Sequence, residues 1–281
     1  MYTKISEALL KERLREIDRN AHKGSNGTLN VVAGCERYRG AADLSVGAAL
    51  RTGCGIVRLI SEEAVIRTVS ERHPSCTFLP VSGISAVTGA IIAHKSEAFL
   101  VGNGLGVSPY SAAAVNYVLS TVKRAVLDAD ALNCLSACPE YYPLLKDKII
   151  TPHVGEFSRL TGMDISAIKA DLAVCAAAFT EKYGCVTVLK DSVTAIACPS
   201  GSVYICDLAS RGLSKGGSGD TLAGLIAGFL AQGYSAEDAA VIGAAILALA
   251  STDAAERLGV HSMLPPDLED SICSLFSRLA N

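Results

Sequence analysis

The stretch Gly216-Gly-Ser-Gly-Asp220 stands directly before a strongly apolar run, residues 221–232. This junction is typical of a glycine turn that opens a buried helix. Bare backbone at such a turn lets several N–H groups converge on an anion at the positive end of the helix dipole. Asp220 would lie in the first helical turn, where a carboxylate repels phosphate but can deprotonate a hydroxyl. The alternative is that Asp220 only complements the helix dipole and that the glycines form a packing turn.

The composition narrows the classes of protein that the chain can represent. It has 281 residues, is 50% hydrophobic and carries a formal net charge of −3, so it offers no basic surface for nucleic acid or for an anionic membrane. A small-molecule substrate is therefore expected. The 10 cysteines form no C-x-x-C pair, which favours free thiols in a reducing compartment. The N-terminus is charged and the longest apolar run, residues 239–250, is too short to span a bilayer, so we expect a cytoplasmic protein.

Short apolar runs alternate with helical patterns along the chain. Strands are predicted at residues 29–33, 56–60, 99–101, 125–127, 148–151 and 186–189, and helices at residues 5–20, 41–51, 111–121, 156–161, 165–183, 220–232 and from Ser235 to about Gly259. In the first of these helices, Leu10, Leu14 and Ile17 would form the apolar face. Residues 195–197 and 203–206 predict an antiparallel hairpin at the sheet edge. The pattern indicates one α/β domain, residues 1–281, with a mostly parallel sheet covered on both faces.

Ligands of an open parallel sheet lie beyond the carboxyl ends of its strands. Two loops there, Gly40-Ala-Ala42 and Gly102-Asn-Gly-Leu-Gly106, would let backbone approach a ligand closely, although each also fits a plain turn. Asp128 and Asp130 follow another predicted strand. They can hold a metal or a substrate hydroxyl, or one of them can cap the next helix.

Two further loops carry polar groups. In Thr151-Pro-His-Val-Gly-Glu156, the imidazole and the carboxylate could serve a substrate and a hydrated magnesium ion, or be a surface histidine and a first-turn glutamate. Lys190-Asp-Ser-Val-Thr194 presents an ammonium, backbone donors and hydroxyls, which fits a nucleotide clasp or an ordinary solvated turn. The other four histidines lack metal-ligand spacing, and we interpret them as surface or satisfied core residues: His22, His73, His94 and His261.

Six segments, taken in order, resemble the ADP/ATP-dependent NAD(P)H-hydrate dehydratases of the ribokinase-like superfamily. They are Lys23-Gly-Ser-Asn-Gly27 with Gly40-Ala-Ala42, Gly102-Asn-Gly-Leu-Gly106, Leu127-Asp-Ala-Asp-Ala-Leu-Asn133, Thr151-Pro-His-Val-Gly-Glu156, Val188-Leu-Lys190 and Gly216-Gly-Ser-Gly-Asp-Thr-Leu-Ala-Gly224. The resemblance covers about residues 20–260. It implies a ribokinase-like three-layer α/β/α sandwich with a mostly parallel central sheet and an antiparallel edge hairpin. Members often carry a fused epimerase domain, which we do not expect in this chain.

The resemblance implies dehydration of the S form of hydrated NADH or NADPH (NADHX or NADPHX), a metabolite repair with ADP or ATP as co-substrate and Mg²⁺. It implies a homotetramer, no nucleic-acid or membrane partner, and a functional link to a separate epimerase. Asp220 would be catalytic and Glu156 would serve magnesium. The substrate-binding residues implied are Ala41, Ala42, Gly104, Gly106, His153 and Asp220. The nucleotide-binding residues implied are Lys190, Asp191, Ser192, Val193, Thr194, Gly216, Gly217, Ser218 and Gly219.

The chain departs from the family pattern at three positions. Asn103 and Val154 stand where the family usually has proline, and Asp191 replaces a small residue. A kinase of the same superfamily, acting on a small alcohol such as hydroxyethylthiazole, hydroxymethylpyrimidine or pyridoxal, would use the same turn and acid. His153, where such kinases usually have Asn, favours the dehydratase. A catalytically silent nucleotide sensor is a third alternative, although it would not need Asp220.

Overall fold

The computed structural model describes residues 2–16 and 19–279. The strands are β1 (Thr3–Lys4), β2 (Thr28–Val32), β3 (Ile56–Ser61), β4 (Thr77–Pro80), β5 (Ala98–Val101), β6 (Ala125–Leu127), β7 (Ile149–Ile150), β8 (Val186–Lys190), β9 (Thr194–Ala197) and β10 (Val203–Cys206). The α-helices are α1 (Glu7–Arg13), α2 (Arg39–Leu50), α3 (Glu63–Arg72), α4 (Ile84–His94), α5 (Pro109–Thr121), α6 (Asp130–Ser136), α7 (Val154–Thr161), α8 (Ile165–Ala170), α9 (Leu172–Tyr183), α10 (Ser218–Ala231), α11 (Ala236–Leu258) and α12 (Leu268–Leu279).

The strands of the described residues form one sheet in the order β1-β10-β9-β8-β7-β6-β5-β2-β3-β4. From β8 to β4 every neighbouring pair is parallel, whereas β9 is antiparallel to both β8 and β10. The mostly parallel sheet with an antiparallel hairpin is thus confirmed. The hairpin is not the edge, however, because β1 pairs in parallel with β10 and lies outside it.

Two apolar cores cover the two faces of the sheet. Along β2, Val31 belongs to one core and Val32 to the other, as the two-residue period of a strand requires. Helices α1, α2, α3, α10, α11 and α12 pack over one face, and α4 to α9 over the other. Since both faces are covered, the central strands β5, β6 and β7 are apolar runs in which every residue is buried.

Two helix predictions differ from the structure. The first helix is shorter than residues 5–20, because it ends at Arg13, whose guanidinium bonds Asp238 and Tyr204, and Leu14 is already extended. Ile17 lies outside the described residues. The segment 165–183 is two helices, since Asp171 interrupts it and its side chain accepts a hydrogen bond from the Val174 N–H at the start of α9.

Helix α11 is the apolar helix that follows the Ser235 cap and ends at Gly259, as predicted. The apolar run of residues 239–250 is too short to span a bilayer, but the complete helix has 23 residues and is long and apolar enough to do so. In the structure 72% of the most apolar 18-residue stretch of this helix is buried inside the fold. Its hydrophobicity is therefore accounted for by packing on the sheet and on α10.

Candidate active site

The loops that leave the central strands meet at one end of the sheet. The Gly34 N–H, just after β2, donates to the Asn103 carbonyl at 2.8 Å, which joins the loops after β2 and β5. The Thr151 hydroxyl, after β7, donates to Oδ1 of Asp128, after β6, at 2.7 Å. The Lys190 N–H, at the end of β8, donates to the Pro152 carbonyl at 2.8 Å. The carboxyl ends of the strands therefore carry one continuous site, as the parallel topology requires.

A buried network of charged groups lies at the centre of this site. Asp128 is 2% exposed, and besides Thr151 it accepts hydrogen bonds from Nζ of Lys190 at 2.9 Å and from Nδ2 of Asn103 at 2.9 Å. The same Asn103 amide donates to Oδ1 of Asp220 at 2.7 Å. Asp220 is thus connected through Asn103 and Asp128 to a lysine ammonium.

The glycine turn joins this network from the other side. Gly217 precedes α10 with a φ of 106°, which favours glycine, and a Cβ there would lie 2.5 Å from Cδ1 of Leu44. A Cβ at Gly219 would lie 3.3 Å from Nζ of Lys190, whereas one at Gly216 would meet nothing within 4 Å. Asp220 lies in the first turn of α10, as predicted. The buried hydroxyl of Ser218 has no hydrogen-bond partner in the described structure.

The turn forms part of the wall of a cavity of about 620 Å³. Its polar lining includes Asp128, His153, Glu156, Lys190, Asp191, Ser192, Thr194, Ser210, Arg211 and residues 214–220. Its apolar lining includes Cys206, Ala209, Leu213, Leu222, Ala244, Leu247 and Ala248. The structure thus brings together every predicted nucleotide-binding residue except Val193, which is not part of the lining, and joins them to His153, Glu156 and Asp220.

The predicted substrate-binding residues of the other loops lie outside this cavity. Gly104 adjoins Asn103, and a Cβ on it would lie 2.7 Å from the Cβ of Ala41. The Gly106 N–H donates to Oδ2 of Asp130 at 2.7 Å. Ala42 is completely buried, so its side chain cannot touch a ligand in this conformation, and Ala41 is the accessible member of the pair. These residues flank Asp220 on the Asn103 side.

Burial governs the protonation of the acids in the site. It raises the pKa of Asp220 to about 6, with Asp128 and Asp130 contributing, while the hydrogen bond from Asn103 and the charge of Lys190 oppose the shift. Burial also raises the pKa of Glu156 to about 7, against the charge of Lys190. Burial alone would lower the pKa of Lys190. The negative charges of Asp128 and Glu156 outweigh this effect, so the pKa of Lys190 is raised. At neutral pH the site holds a charged lysine, and burial disfavours the ionised forms of Asp220 and Glu156.

His153 and Glu156 form the start of α7. Nδ1 of His153 accepts from the Gly155 N–H at 2.9 Å, and the Glu156 carboxylate accepts from the His153 N–H at 2.9 Å. The histidine is partly exposed, as the alternative interpretation expected, but the glutamate is buried and faces the cavity. Within residues 2–16 and 19–279 no group of three or more His, Cys, Asp or Glu could hold a metal. A single carboxylate fits a magnesium ion that takes its other ligands from water and phosphates.

Three other predicted features have clear positions. Asp130 opens α6 without capping it, because the N-cap is Ala129; its carboxylate instead accepts from Gly106 and from the Asn133 side chain. Asp191 pairs with Lys169 of α8, with Nζ 3.2 Å from Oδ2, so its charge is partly offset. Gly27 packs against the Ala231 carbonyl at the far end of α10. The segment that contains Gly27 is therefore structural and distant from the cavity.

The sequence did not single out two parts of the site. Asn103 was noted only as a departure from the family pattern, yet it lies between two carboxylates. The apolar lining of the cavity was missed as well, because its residues come from separate segments of the chain. The only sign of it in the sequence is the set of small residues in α11, such as Ala244 and Ala248, which would let a ligand or a neighbouring element approach this helix closely.

The family of the chain follows from comparison with known proteins. The family model described as NAD(P)H-hydrate dehydratase matches residues 29–274. The chain belongs to the NAD(P)H-hydrate dehydratase family. The ADP-dependent (S)-NAD(P)H-hydrate dehydratase of Neisseria meningitidis is 33% identical over 255 residues, which are 87% of this chain and 83% of that protein. The chain spans about half the length of other curated relatives that it matches, the bifunctional NAD(P)H-hydrate repair enzymes of Coxiella burnetii and Escherichia coli.

Solved structures of similar proteins agree with the fold. The ADP/ATP-dependent NAD(P)H-hydrate dehydratase of Bacillus subtilis, co-crystallised with ATP and Mg²⁺, is 27% identical with a TM-score of 0.84, covering 98% of this chain and 97% of that one. A ribokinase-like superfamily protein of Enterococcus faecalis, 23% identical, has a TM-score of 0.88 and covers 99% of this chain and 96% of that one. The ribokinase-like fold implied by the sequence motifs is therefore confirmed.

Proposed function

We propose that the chain catalyses nucleotide-dependent dehydration of the S form of NADHX or NADPHX, restoring NADH or NADPH and converting ADP to AMP, or ATP to ADP, and phosphate. Its family, and the stand-alone dehydratase that it matches over most of its length, support this proposal. The observation that carries it is the position of Asp220, in the first turn of a helix behind a glycine turn and on the wall of a nucleotide-sized cavity.

The cavity wall carries both apolar and polar groups, which suits the two parts of an adenine nucleotide. We assign the base to the apolar lining, beside Leu222, Ala244 and Leu247, and the phosphates to the glycine turn and Lys190. The N–H groups of the glycine turn and the Lys190 ammonium are among the donors there. The Ser218 hydroxyl is buried without a partner, and we assign it to a phosphate after its side chain rotates towards the cavity.

The reaction needs a better leaving group than hydroxide. In our proposal Asp220 takes the proton of the ring hydroxyl while the terminal phosphoryl group of the nucleotide transfers to that oxygen. The lone pair of the ring nitrogen then expels phosphate, and loss of a ring C–H proton restores the double bond. The oxygen of the added water leaves as part of the phosphate, so the reaction yields one phosphate for each nicotinamide repaired.

The remaining site residues receive supporting roles. We assign Ala41, Gly104, Gly106 and His153 to the hydrated nicotinamide nucleotide, since they lie beside Asp220 or at the cavity rim. Glu156 would hold a magnesium ion, which when bound would neutralise charge on the phosphates. Ala42 would support Ala41 from the core.

Location and assembly belong to the same proposal. All 10 cysteines are free in the structure, and seven of them are buried, which is consistent with a reducing, cytoplasmic location. By family resemblance we propose a homotetramer that works with an NAD(P)H-hydrate epimerase and binds neither nucleic acid nor membrane. Light scattering of the purified protein would measure the subunit number.

The direct test of this function is to incubate the protein with chemically hydrated NADH and ADP and to follow the return of reduced-nicotinamide absorbance. Repair should consume ADP and release AMP and phosphate in equal amounts. A small-alcohol kinase, which the same turn and acid would also suit, would instead yield a stable phosphorylated alcohol and no reduced nicotinamide. A nucleotide sensor would bind ADP without releasing phosphate.

A further inference from the structure

Asn103 lies in the middle of the buried charge network although it carries no charge. It is completely buried, and its Nδ2 donates to Oδ2 of Asp128 at 2.9 Å and to Oδ1 of Asp220 at 2.7 Å. A side-chain amide has two N–H donors, so both are used on carboxylates. The amide therefore bridges the two acids.

The orientation of the amide follows from the groups around it. Its Oδ1 is buried without a hydrogen-bond partner; the reversed orientation would place that oxygen against two carboxylates, which is worse. The backbone is held as well, because the Asn103 carbonyl accepts from Gly34 and because Gly104 has a φ of 60° beside Ala41. A buried polar atom without a partner costs free energy, so its retention points to a function for the N–H side.

The contact leaves one oxygen of Asp220 for a ligand. Among the hydrogen bonds of the described residues, the Asn103 amide binds Oδ1 of Asp220, and no such bond is recorded for Oδ2. The charged groups that face this carboxylate are Lys190 from β8, Asp128 beyond β6 and Asp130 from α6. Glu156 faces Lys190, and α2 contributes the apolar Leu44 beside the turn.

We propose that Asn103 is a positioning residue for Asp220: its amide holds Oδ1, leaves Oδ2 to take the substrate proton, and connects the carboxylate to Lys190 through Asp128. The role rests on the proposed dehydration. Without the amide, two buried carboxylates would face each other with no donor between them, which favours protonation of one of them. A protonated Asp220 cannot accept the hydroxyl proton.

The test replaces Asn103 with leucine, which has a similar size but no donor. Asn30→Leu is the matched control, because Asn30 is also completely buried and its Nδ2 donates to Oε2 of Glu97 at 2.7 Å, away from the cavity. Two quantities are measured for each protein. The first is the titration of the Asp220 carboxyl carbon by NMR, assigned by its loss in Asp220→Asn. The second is the pH dependence of kcat and KM for hydrate repair with ADP.

For Asn103→Leu we expect the Asp220 titration and the acidic limb of kcat to move up by about 1 pH unit, which is the effect of one hydrogen bond to a charged group. We also expect kcat to fall about 10- to 100-fold, with the KM for ADP nearly unchanged. Asn30→Leu should change neither quantity. Asn103→Ser keeps one donor, so its Asp220 titration and its kcat should lie between those of the wild type and of Asn103→Leu. If Asn103→Leu does not fold, Asn103→Ser takes its place in the test.

An unchanged Asp220 titration in both Asn103 variants would overturn the proposal, as would an equal loss of kcat in Asn30→Leu. The NMR titration needs no substrate. If the wild type failed to repair hydrated NADH while the titration still moved in Asn103→Leu, the dehydratase assignment would be wrong and the coupling of Asn103 to Asp220 would stand.

Discussion

Asp220 combines two properties that oppose each other, since it is partly buried and yet must be ionised to act as a base. Burial raises its pKa to about 6, while Asn103 and Lys190 oppose that shift. The carboxylate is therefore ionised at neutral pH but at a cost in stability. A base with a pKa just below neutrality is well suited to accept a proton at physiological pH.

Replacing Asp220 with asparagine should separate the role of the carboxylate as a base from the cost of its charge to stability. Because a positioned base supplies about 10²- to 10⁴-fold in rate, kcat should fall by that factor. Because the pKa of Asp220 is raised from 3.8 to about 6 on folding, the stability that its proton contributes is complete below pH 3.8 and is lost as the pH rises through 6. The variant should thus be more stable than the wild type at pH 7, by on the order of 2 to 3 kcal/mol, and no more stable near pH 4.

Urea unfolding at the two pH values measures this difference. Equal stabilities of wild type and Asp220→Asn at pH 7 would mean that the carboxylate is solvated rather than buried.

Ser218 should contribute to ligand binding and not to folding. Its buried hydroxyl has no partner in the described structure, so Ser218→Ala should leave the unfolding free energy unchanged or slightly higher. The same change should weaken ADP binding about 10-fold, because a hydrogen bond to a charged phosphate is lost. Calorimetric titration with ADP measures the affinity.

Ser271→Ala is the control for this prediction, since the Ser271 hydroxyl in α12 is equally buried and unpartnered but does not line the cavity. It should bind ADP like the wild type. Equal affinities of Ser218→Ala and Ser271→Ala for ADP would contradict the placement of phosphate at the turn.

At the scale of elements, the glycine turn and α10 form one packed unit. Helix α10 is almost wholly buried, and it packs between α2 and α11. The turn before it brings Gly217 against Leu44 and Pro265 on one side. The N-terminus of α10 is therefore fixed by packing, so that its N–H groups are held in place before a ligand arrives.

The glycines of the turn should differ in what they contribute. Gly217→Ala should destabilise the protein by about 1 to 3 kcal/mol, because it strains a positive φ and crowds Leu44. Gly216→Ala should fold with wild-type stability, since its Cβ meets nothing within 4 Å, but it should weaken ADP binding by placing a methyl group where phosphate approaches. Thermal unfolding and ADP titration of both variants measure the contrast. Two variants with the same stability loss would show that the turn is only a packing feature.

The elements that the sequence predicted are those with a strong local pattern. Buried strands such as β5, and helices with caps such as α11, are defined by their own residues. Strands β1 and β4 and helices α3, α4 and α12 were not predicted. Of these, β1 has only two residues, both exposed, and exists through its pairing with β10. The break at Asp171 and the early end of α1 were also missed, since the first depends on a local cap and the second on tertiary bonds of Arg13.

The candidate site shows the same division. The motif order predicted which loops would meet, and the structure brings most of the predicted residues to one cavity. The contact between Asn103 and Asp220 joins positions 117 residues apart, and no local pattern in the sequence specifies such a pair. The packing of α2 likewise decides that Ala42 is buried and Ala41 accessible. Two adjacent alanines in the sequence do not indicate which of them faces the core.

At the scale of the whole molecule, the site depends on both sides of the sheet. Asp220 and the glycine turn come with α10 from the helices over one face, while α6 and α7, which begin beside Asp128 and His153, pack over the other. The acids and the ammonium between them lie at the ends of the central strands. A nucleotide in the cavity would therefore touch elements from both layers and stabilise the fold as a unit.

Nucleotide should raise the unfolding free energy by about 2.7 kcal/mol when its concentration is 100 times its Kd. Asp220→Asn should show at least this stabilisation, because the change removes a carboxylate that repels the phosphates, and Ser218→Ala should show less at the same concentration. Thermal unfolding with and without ADP or ATP measures it and reports which nucleotide is preferred. An absence of stabilisation by either nucleotide would contradict the assignment of the cavity.

The central claim is that Asp220 and its glycine turn carry out a nucleotide-dependent repair of hydrated NADH or NADPH. Its most direct test compares wild type and Asp220→Asn on chemically hydrated NADH with ADP, measuring reduced nicotinamide, AMP and phosphate together. We predict equal amounts of the three products from the wild type, and from the variant a rate about 10²- to 10⁴-fold lower with ADP binding no weaker than in the wild type. Nicotinamide recovery without nucleotide consumption, or near-normal turnover by Asp220→Asn, would contradict the account.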